Sequence, residues 1–190
     1  MSQEIEIEFK NLLTKEEFDR LLYNLPFPEY SETQTNFYFE TKNFSLRENG
    51  CALRIREKNG KFQLTLKEPH SQGLLETHDV LTKQEAQNWM EGNIQEKEHT
   101  AKQLEAKGIS PQNLIYYGSL TTERREVDYQ DVLLILDYST YHGQEDYELE
   151  LEASSRTIGE DVFNRLLEKY QIPKRKTPNK IKRFFSGMSD

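Results

Sequence analysis

Residues 3–10 alternate without a fault. Glu4, Glu6, Glu8 and Lys10 fall on one side, and Ile5, Ile7 and Phe9 on the other, the period-two pattern of a β-strand. The pattern returns at 51–58, where Ala52, Arg54, Arg56 and Lys58 oppose Leu53 and Ile55. It returns again at 61–68, where Lys61, Gln63, Thr65 and Lys67 oppose Phe62, Leu64 and Leu66. Asn59-Gly60 between these runs is the dipeptide of a tight type I′ turn, so they predict a hairpin. Further strands are expected at about 33–41, 74–81, 116–127, 131–139 and 146–153, eight in all. Glu76 and His78 share one face of the fifth. On the eighth, Asp146, Glu148, Glu150 and Glu152 oppose Tyr147, Leu149 and Leu151.

Helical periodicity fills the gaps. Residues 14–25 carry a capping box, Thr14 with Glu17, and an apolar stripe of Phe18, Leu21, Leu22 and Leu25 that Pro26 and Pro28 end. Thr82 and Glu85 open a second helix that Gly92-Asn93 breaks, and a polar helix over about 95–107 stops at Gly108. A helix over about 159–170 carries Val162, Phe163, Leu166, Leu167 and Tyr170. Thr177-Pro178 predicts a last helix, with Thr177 as N-cap, that contains Lys180, Ile181, Arg183, Phe184 and Phe185. No linker-like composition interrupts the chain. One domain over 1–190 is therefore expected, with a helical insertion at about 82–113 and C-terminal helices at about 159–188.

Composition changes this picture in one respect. Hydrophobic residues make up only 35% of the 190, yet aromatics reach 11%, too many for a disordered chain. A fold whose interior is itself partly polar reconciles the two. Lys+Arg number 25 against Asp+Glu 33, a formal charge of −8, which argues against a general nucleic-acid binder. The single Cys51 excludes an internal disulfide framework. No apolar run is long enough to span a bilayer and no apolar leader opens the chain, so a cytoplasmic protein without a membrane partner is expected. Nothing indicates an oligomer.

Several strands carry a charged face, and one such face alone reads as a solvated sheet surface. Together they suggest the reverse, with charges inside a closed barrel and apolar faces covered by the amphipathic helices at 14–25, 82–107 and 159–188. Carboxylate pairs on separate strands repel unless something binds them. They suit a hard divalent cation such as Mg²⁺ or Mn²⁺. Arg54 and Arg56 offer planar donor forks for phosphate, and the lysines offer point charges. Acidic and basic pairs together point to metal–phosphate chemistry.

The ordered set then resembles a known family. Glu6, Glu8 and Lys10 form an ExExK motif. Arg54 and Arg56 of ALRIRE, Lys67 of LTLKEP, Glu76 of LLETHD and Arg124 of TTERRE follow. Asp137 of LILDYS, Glu148 and Glu150 of YELELE, and Lys180 with Arg183 of NKIKRFF complete it. Over nearly the whole chain this is similar to the CYTH superfamily, the triphosphate tunnel metalloenzymes, and most similar to their small single-domain bacterial branch. The resemblance implies an α+β, mainly β fold: a closed eight-stranded antiparallel β tunnel with a charged interior, flanked by helices. It implies that Glu6, Glu8, Glu148 and Glu150 hold Mg²⁺ or Mn²⁺ with Asp137 in support. Lys10, Arg54, Arg56, Lys67, Arg124, Lys180 and Arg183 would bind phosphates, and Glu76 would assist. Water would attack the terminal phosphorus with a carboxylate as base.

Three assignments stay open. Arg124 and Arg125 lie on opposite faces and only one can point inward; Arg124 fits the motif. The run Glu148, Glu150, Glu152 allows a two-residue slip, and Glu4 extends the first acidic face by the same step. Gln34 or Tyr38 could line the interior. The four histidines show no metal-ligand spacing; His78 could sit beside Glu76, and the others read as surface residues. Cys51 reads as structural, and Trp89 as packing rather than as a stacking platform. The expected activity is metal-dependent hydrolysis of a triphosphate, inorganic triphosphate foremost. The alternatives are an adenylate cyclase acting on ATP and a non-catalytic polyphosphate or nucleotide sensor.

Overall fold

The computed structural model describes residues 2–188. The domain limits expected at residues 1 and 190 lie outside the described residues. Nine strands are present: β1 (Gln3–Glu6), β2 (Glu8–Leu13), β3 (Glu32–Thr41), β4 (Ala52–Lys58), β5 (Lys61–His70), β6 (Gly73–Leu81), β7 (Leu114–Tyr129), β8 (Val132–Tyr141) and β9 (Gln144–Ala153). Six helices accompany them: α1 (Lys15–Asn24), α2 (Ser45–Glu48), α3 (Lys83–Met90), α4 (Glu98–Ala106), α5 (Arg156–Lys169) and α6 (Lys180–Ser186). The strands hydrogen-bond in the order β1-β6-β5-β4-β3-β7-β8-β9-β2, an open ladder ending at β1 and β2 rather than the closed eight-stranded one expected. There are nine rather than the expected eight because the first alternating run changes partner at Ile7. Before it, β1 pairs with β6; after it, β2 pairs antiparallel with β9 from Glu8↔Glu152 to Leu13↔Tyr147.

The chain forms two compact units. One comprises the residues up to Ile5 with Gln34–Leu120, the other Glu6–Thr33 with the chain from Thr121 onward. In the first, the hairpin β4–β5 forms at the expected residues, with Asn59 and Gly60 at φ 52° and 75°, the left-handed pair that a type I′ turn requires. Phe39, Leu53, Ile55, Leu64 and Leu66 from one sheet face pack with Leu46, Ala86, Trp89 and Leu104 from the helices. Trp89 is a core residue, its indole N–H donating to the Gln95 carbonyl at 2.9 Å. Cys51 is buried as well, and desolvation pushes its thiol pKa to about 11, so it is an inert packing group.

Two helices here depend on strand carboxylates rather than on their own caps. Asp79 of β6 accepts from Thr100 N at 2.8 Å and Thr100 Oγ1 at 2.9 Å. That fixes the start of α4 at Glu98, three residues later than the periodicity predicts. Glu40 at the end of β3 accepts from Leu46 N and Arg47 N, both at 3.0 Å. It thereby holds α2, a helix the sequence does not announce.

In the second unit, Phe9, Leu13, Leu134, Leu136, Leu149 and Leu151 form the apolar sheet face. Phe18 and Leu21 of α1 and Val162, Phe163, Leu166 and Leu167 of α5 cover it. Helix α5 starts earlier than expected, capped by Ser155, whose side chain accepts from Ile158 N. Gly159 lets it dock closely: a Cβ there would meet the Phe9 ring and lie 2.8 Å from Ala153 Cβ. The last helix is also displaced. Its N-cap is Asn179, not Thr177, with the Asn179 side chain accepting from Lys182 N at 3.0 Å. Thr177 instead accepts from Leu12 N at 2.9 Å. Asn11 receives Arg175 N at 2.6 Å and donates to the Pro173 carbonyl at 3.1 Å. The segment leading to α6 is therefore hydrogen-bonded onto β2.

No helix among the described residues is long and apolar enough to cross a membrane. The capping box of helix α1 is complete: Thr14 Oγ1 accepts from Glu17 N, and Glu17 accepts from Thr14 N. Glu17 also takes a two-pronged ion pair from Arg175 at 2.7 and 2.9 Å. The Arg175 hydrogen bonds, aided by the capping N–H, hold its pKa below the ordinary carboxylate value. Its stabilising contribution is thus present above the unfolded-state pKa and is lost as pH falls through the lower folded-state value. Urea denaturation should show Thr14→Ala losing about 1 kcal/mol at neutral pH, and Arg175→Ala should flatten the acid side of the stability profile. An unchanged acid limb in Arg175→Ala would sink this account.

Candidate active site

The strand registers decide which charges meet. In the second unit Arg124 of β7 stands opposite Asp137 of β8, Asp137 opposite Glu148 of β9, and Glu150 opposite Lys10 of β2. Residues directly opposite in a ladder share a face, so all five lie on the side away from α1 and α5. Arg124 is buried there. Its Nε and Nη2 reach the two Asp137 oxygens at 2.8 and 2.7 Å, and Nη2 also reaches Glu150 at 2.8 Å. Arg125 points the other way, to the Pro28 carbonyl at 3.2 Å, so the face assignment that fits the motif is the one observed.

Helix α6 does not clad the apolar face, which the C-terminal helices at about 159–188 were expected to cover. It carries cations onto the charged face instead. Lys180 Nζ lies 2.8 Å from Asp137 and 3.1 Å from Glu148, and it pairs with Glu150. Arg183 pairs with Glu148 and, at 3.1 Å, with Asp146. Asp137 and Glu148 have no exposed surface, and Lys180, Arg124 and Glu150 are under one-tenth exposed. Of the three acidic candidates on β9, Glu148 and Glu150 are thus the buried pair. Glu152 sits opposite Glu8 at the half-buried end of the strand.

Burial of this many charges requires mutual compensation. Desolvation raises the Glu150 pKa, but Lys180 and Arg124 outweigh it and hold that carboxyl well below the usual range. Asp137 is likewise lowered, by Arg124 and Lys180 against burial. Glu148 goes the other way. Desolvation, with the adjacent Glu150 charge, lifts it to about 7 despite Lys180 and Arg183. The ammonium of Lys180 is driven up by Asp137, Glu148 and Glu150 against burial and stays charged.

Glu6 and Glu8 flank the break at Ile7. Glu6 ends β1 and is half-buried; Glu8 pairs with Lys10 at 2.7 Å. In the first unit Arg54, Arg56 and Lys67 share a sheet face, with Arg54 opposite Thr65 and Lys67 opposite Glu76. Lys67 pairs with Glu76 at 2.6 Å. Sequence reasoning left two participants without roles. His78 lies 2.9 Å from Glu4 and 3.3 Å from Glu76, and ligand atoms of these three lie within 4.8 Å of one another. Asp146 shares Arg183. Both were visible as further steps of the alternation. His70, His99 and His142 are exposed, as expected.

Comparison with known proteins shows the family. The CYTH domain model matches residues 4–185, and the chain belongs to the CYTH domain family. It is 45% identical over 189 residues to the Bacillus subtilis protein called "Putative triphosphatase YjbK", covering 97% of this chain and 96% of that one. A crystal structure from Bacillus halodurans, titled a putative adenylate cyclase, is 42% identical with a TM-score of 0.93 and coverage of 97% and 100%. A structure from Hippeastrum, HpAC1, is 25% identical with a TM-score of 0.80 and coverage of 96% of each chain. Its title gives a putative adenylyl cyclase with a dominant triphosphatase activity.

The raised Glu148 pKa makes a measurable prediction. The folded state holds a proton that the unfolded chain releases near the ordinary carboxylate pKa. Glu148 therefore lowers stability progressively as pH rises from about 4.5 to about 7. In metal-free protein, Glu148→Gln should remove that fall from the pH–stability curve. Identical curves in this interval would show that Glu148 titrates normally.

Proposed function

We propose that this protein hydrolyses a triphosphate compound, inorganic triphosphate foremost, with a divalent cation. The supporting observation is the buried set Asp137, Glu148, Glu150, Arg124, Lys180 and Arg183, in which oxygen donors and phosphate-type donors share one strand face. The donor chemistry suits Mg²⁺ or Mn²⁺. Glu6, Glu8, Glu148 and Glu150, with Asp137, would hold the cation. When bound, it would offset phosphate charge and polarise the phosphoryl group.

The chain's own residues would do the rest. Lys10, Arg54, Arg56, Lys67, Arg124, Lys180 and Arg183 would bind and orient the phosphates and meet the charge of the transition state. Glu76 would hold Lys67 in position. A carboxylate of the acidic set would accept the proton of the attacking water. One domain with its helical insertion belongs to this proposal.

Cyclisation of ATP is the second reading, favoured by the cyclase name of the Bacillus halodurans structure. Hydrolysis is preferred because the Hippeastrum protein, also named as a cyclase, is described as dominantly a triphosphatase. The test is phosphate release from triphosphate, ATP, GTP, thiamine triphosphate and pyrophosphate with Mg²⁺, Mn²⁺ or EDTA, with cyclic AMP measured alongside. Metal-dependent release from triphosphate is expected, reduced on the order of a hundredfold or more in Glu6→Gln and Arg56→Ala. Cyclic AMP without phosphate release would favour the cyclase. Tight binding without turnover at any metal would leave a sensor.

A further inference from the structure

The two charged faces differ in how their polar atoms are satisfied. On the second unit's face the acids and bases neutralise one another. On the first unit's face three buried N–H donors have no hydrogen-bond partner among the described residues: Gln34 Nε2, Asn36 Nδ2 and Arg54 Nε. They belong to adjacent strands and one face, for the β3–β4 register sets Gln34 opposite Lys58, Asn36 opposite Arg56 and Tyr38 opposite Arg54. Gln34 is 2% exposed and Asn36 is 0% exposed. Buried side-chain donors normally find an acceptor, so three orphans side by side need an explanation.

The Asn36 amide is not free to turn and cure the defect. Its Oδ1 accepts from Arg56 Nε at 2.9 Å, which fixes the orientation and leaves Nδ2 as the outward donor. Water accepts from such donors as well, but it carries no charge to set against the cations of this face. Arg54, Arg56, Lys58, Lys61 and Lys67 stand on this same face. Glu76 answers Lys67 at 2.6 Å, and no negatively charged acceptor reaches the three orphan donors beside Arg54 and Arg56 among the described residues.

We infer that Gln34 and Asn36 are substrate-binding residues whose amide N–H groups donate to phosphoryl oxygens beside Arg54 and Arg56. The inference rests on the triphosphate reading above. Neutral amides bind oxygen without the desolvation cost of another buried cation, so they extend the phosphate contacts where the face is already strongly positive. Asn36 has a second part, holding the Arg56 guanidinium at the angle its hydrogen bond defines.

The test separates binding from folding. Gln34→Met keeps the length of the side chain and removes the unsatisfied donor. Thermal stability should stay level or rise, while the Kd for inorganic tripolyphosphate in EDTA, measured by calorimetry, and KM in Mg²⁺ should both weaken about tenfold. Asn36→Asp keeps an oxygen for Arg56 but replaces the donor with a charge, and should weaken binding further. The wild-type side-chain NH₂ signals of Gln34 and Asn36 should shift on adding tripolyphosphate, a readout independent of any variant. Unchanged affinity in Gln34→Met together with unmoved NH₂ signals would overturn the amide role and leave the triphosphate reading intact. Wild-type protein that neither binds nor turns over tripolyphosphate would overturn both.

Discussion

A buried ammonium among three carboxylates is the interaction on which the second unit's charged face depends. Lys180 lies against Asp137, Glu148 and Glu150, with Arg124 completing the cluster from β7. Removing one partner from such a set leaves an uncompensated charge out of water, a far larger cost than the pair itself is worth. Adjacent strands and α6 must therefore agree in register to within one residue, because a one-residue slip would turn every acid to the opposite face. The segment before α6 is fastened accordingly. Asn11, Thr177 and the Glu17–Arg175 pair fix where the helix begins, and the helix fixes Lys180 and Arg183.

The same constraint explains the placement of the apolar residues. In the second unit β2, β8 and β9 turn Lys10, Asp137, Glu148 and Glu150 to one side and Leu or Phe to the other, and α1 and α5 bury the latter. The first unit repeats this with α3, α4 and the short α2. A sheet with polar residues on one face and helices on the other needs less apolar material than a two-sided core. That is how a chain with 35% hydrophobic residues still buries Trp89, Phe39 and a full set of leucines.

Much of this was legible because period two is a strong signal and tight turns are chemically specific. The β4–β5 hairpin, both capping boxes and the shared face of Glu76 and His78 follow from local residues alone. The departures have a common origin in contacts between distant segments. Asp79 caps α4 from another strand, Glu40 holds α2, and Ile7 divides one alternating run between two partners. Thr177-Pro178 has the local form of a helix start, but Leu12 N claims the Thr177 hydroxyl and Asn179 caps α6 instead. The site residues were readable as types and faces. Their grouping was not: alternation put Glu148, Glu150 and Glu152 on one face, and the reach of Lys180, Arg124 and Arg183 distinguishes the buried pair.

On the proposed reading, the state of each face has a physical consequence for binding order. In the acidic cluster Asp137, Glu148 and Glu150 are already answered by Lys180, Arg124 or Arg183, and burial raises the Glu148 pKa to about 7. A divalent cation alone must compete with fixed internal charges. A polyanion arriving with it would supply new partners for those same basic groups and leave carboxylate oxygens to hold the cation. The first unit's face needs no such exchange, since Gln34, Asn36 and Arg54 already present donors that no described residue satisfies. Metal and phosphate should therefore bind more tightly together than either does alone, a coupling that is reciprocal by thermodynamic necessity.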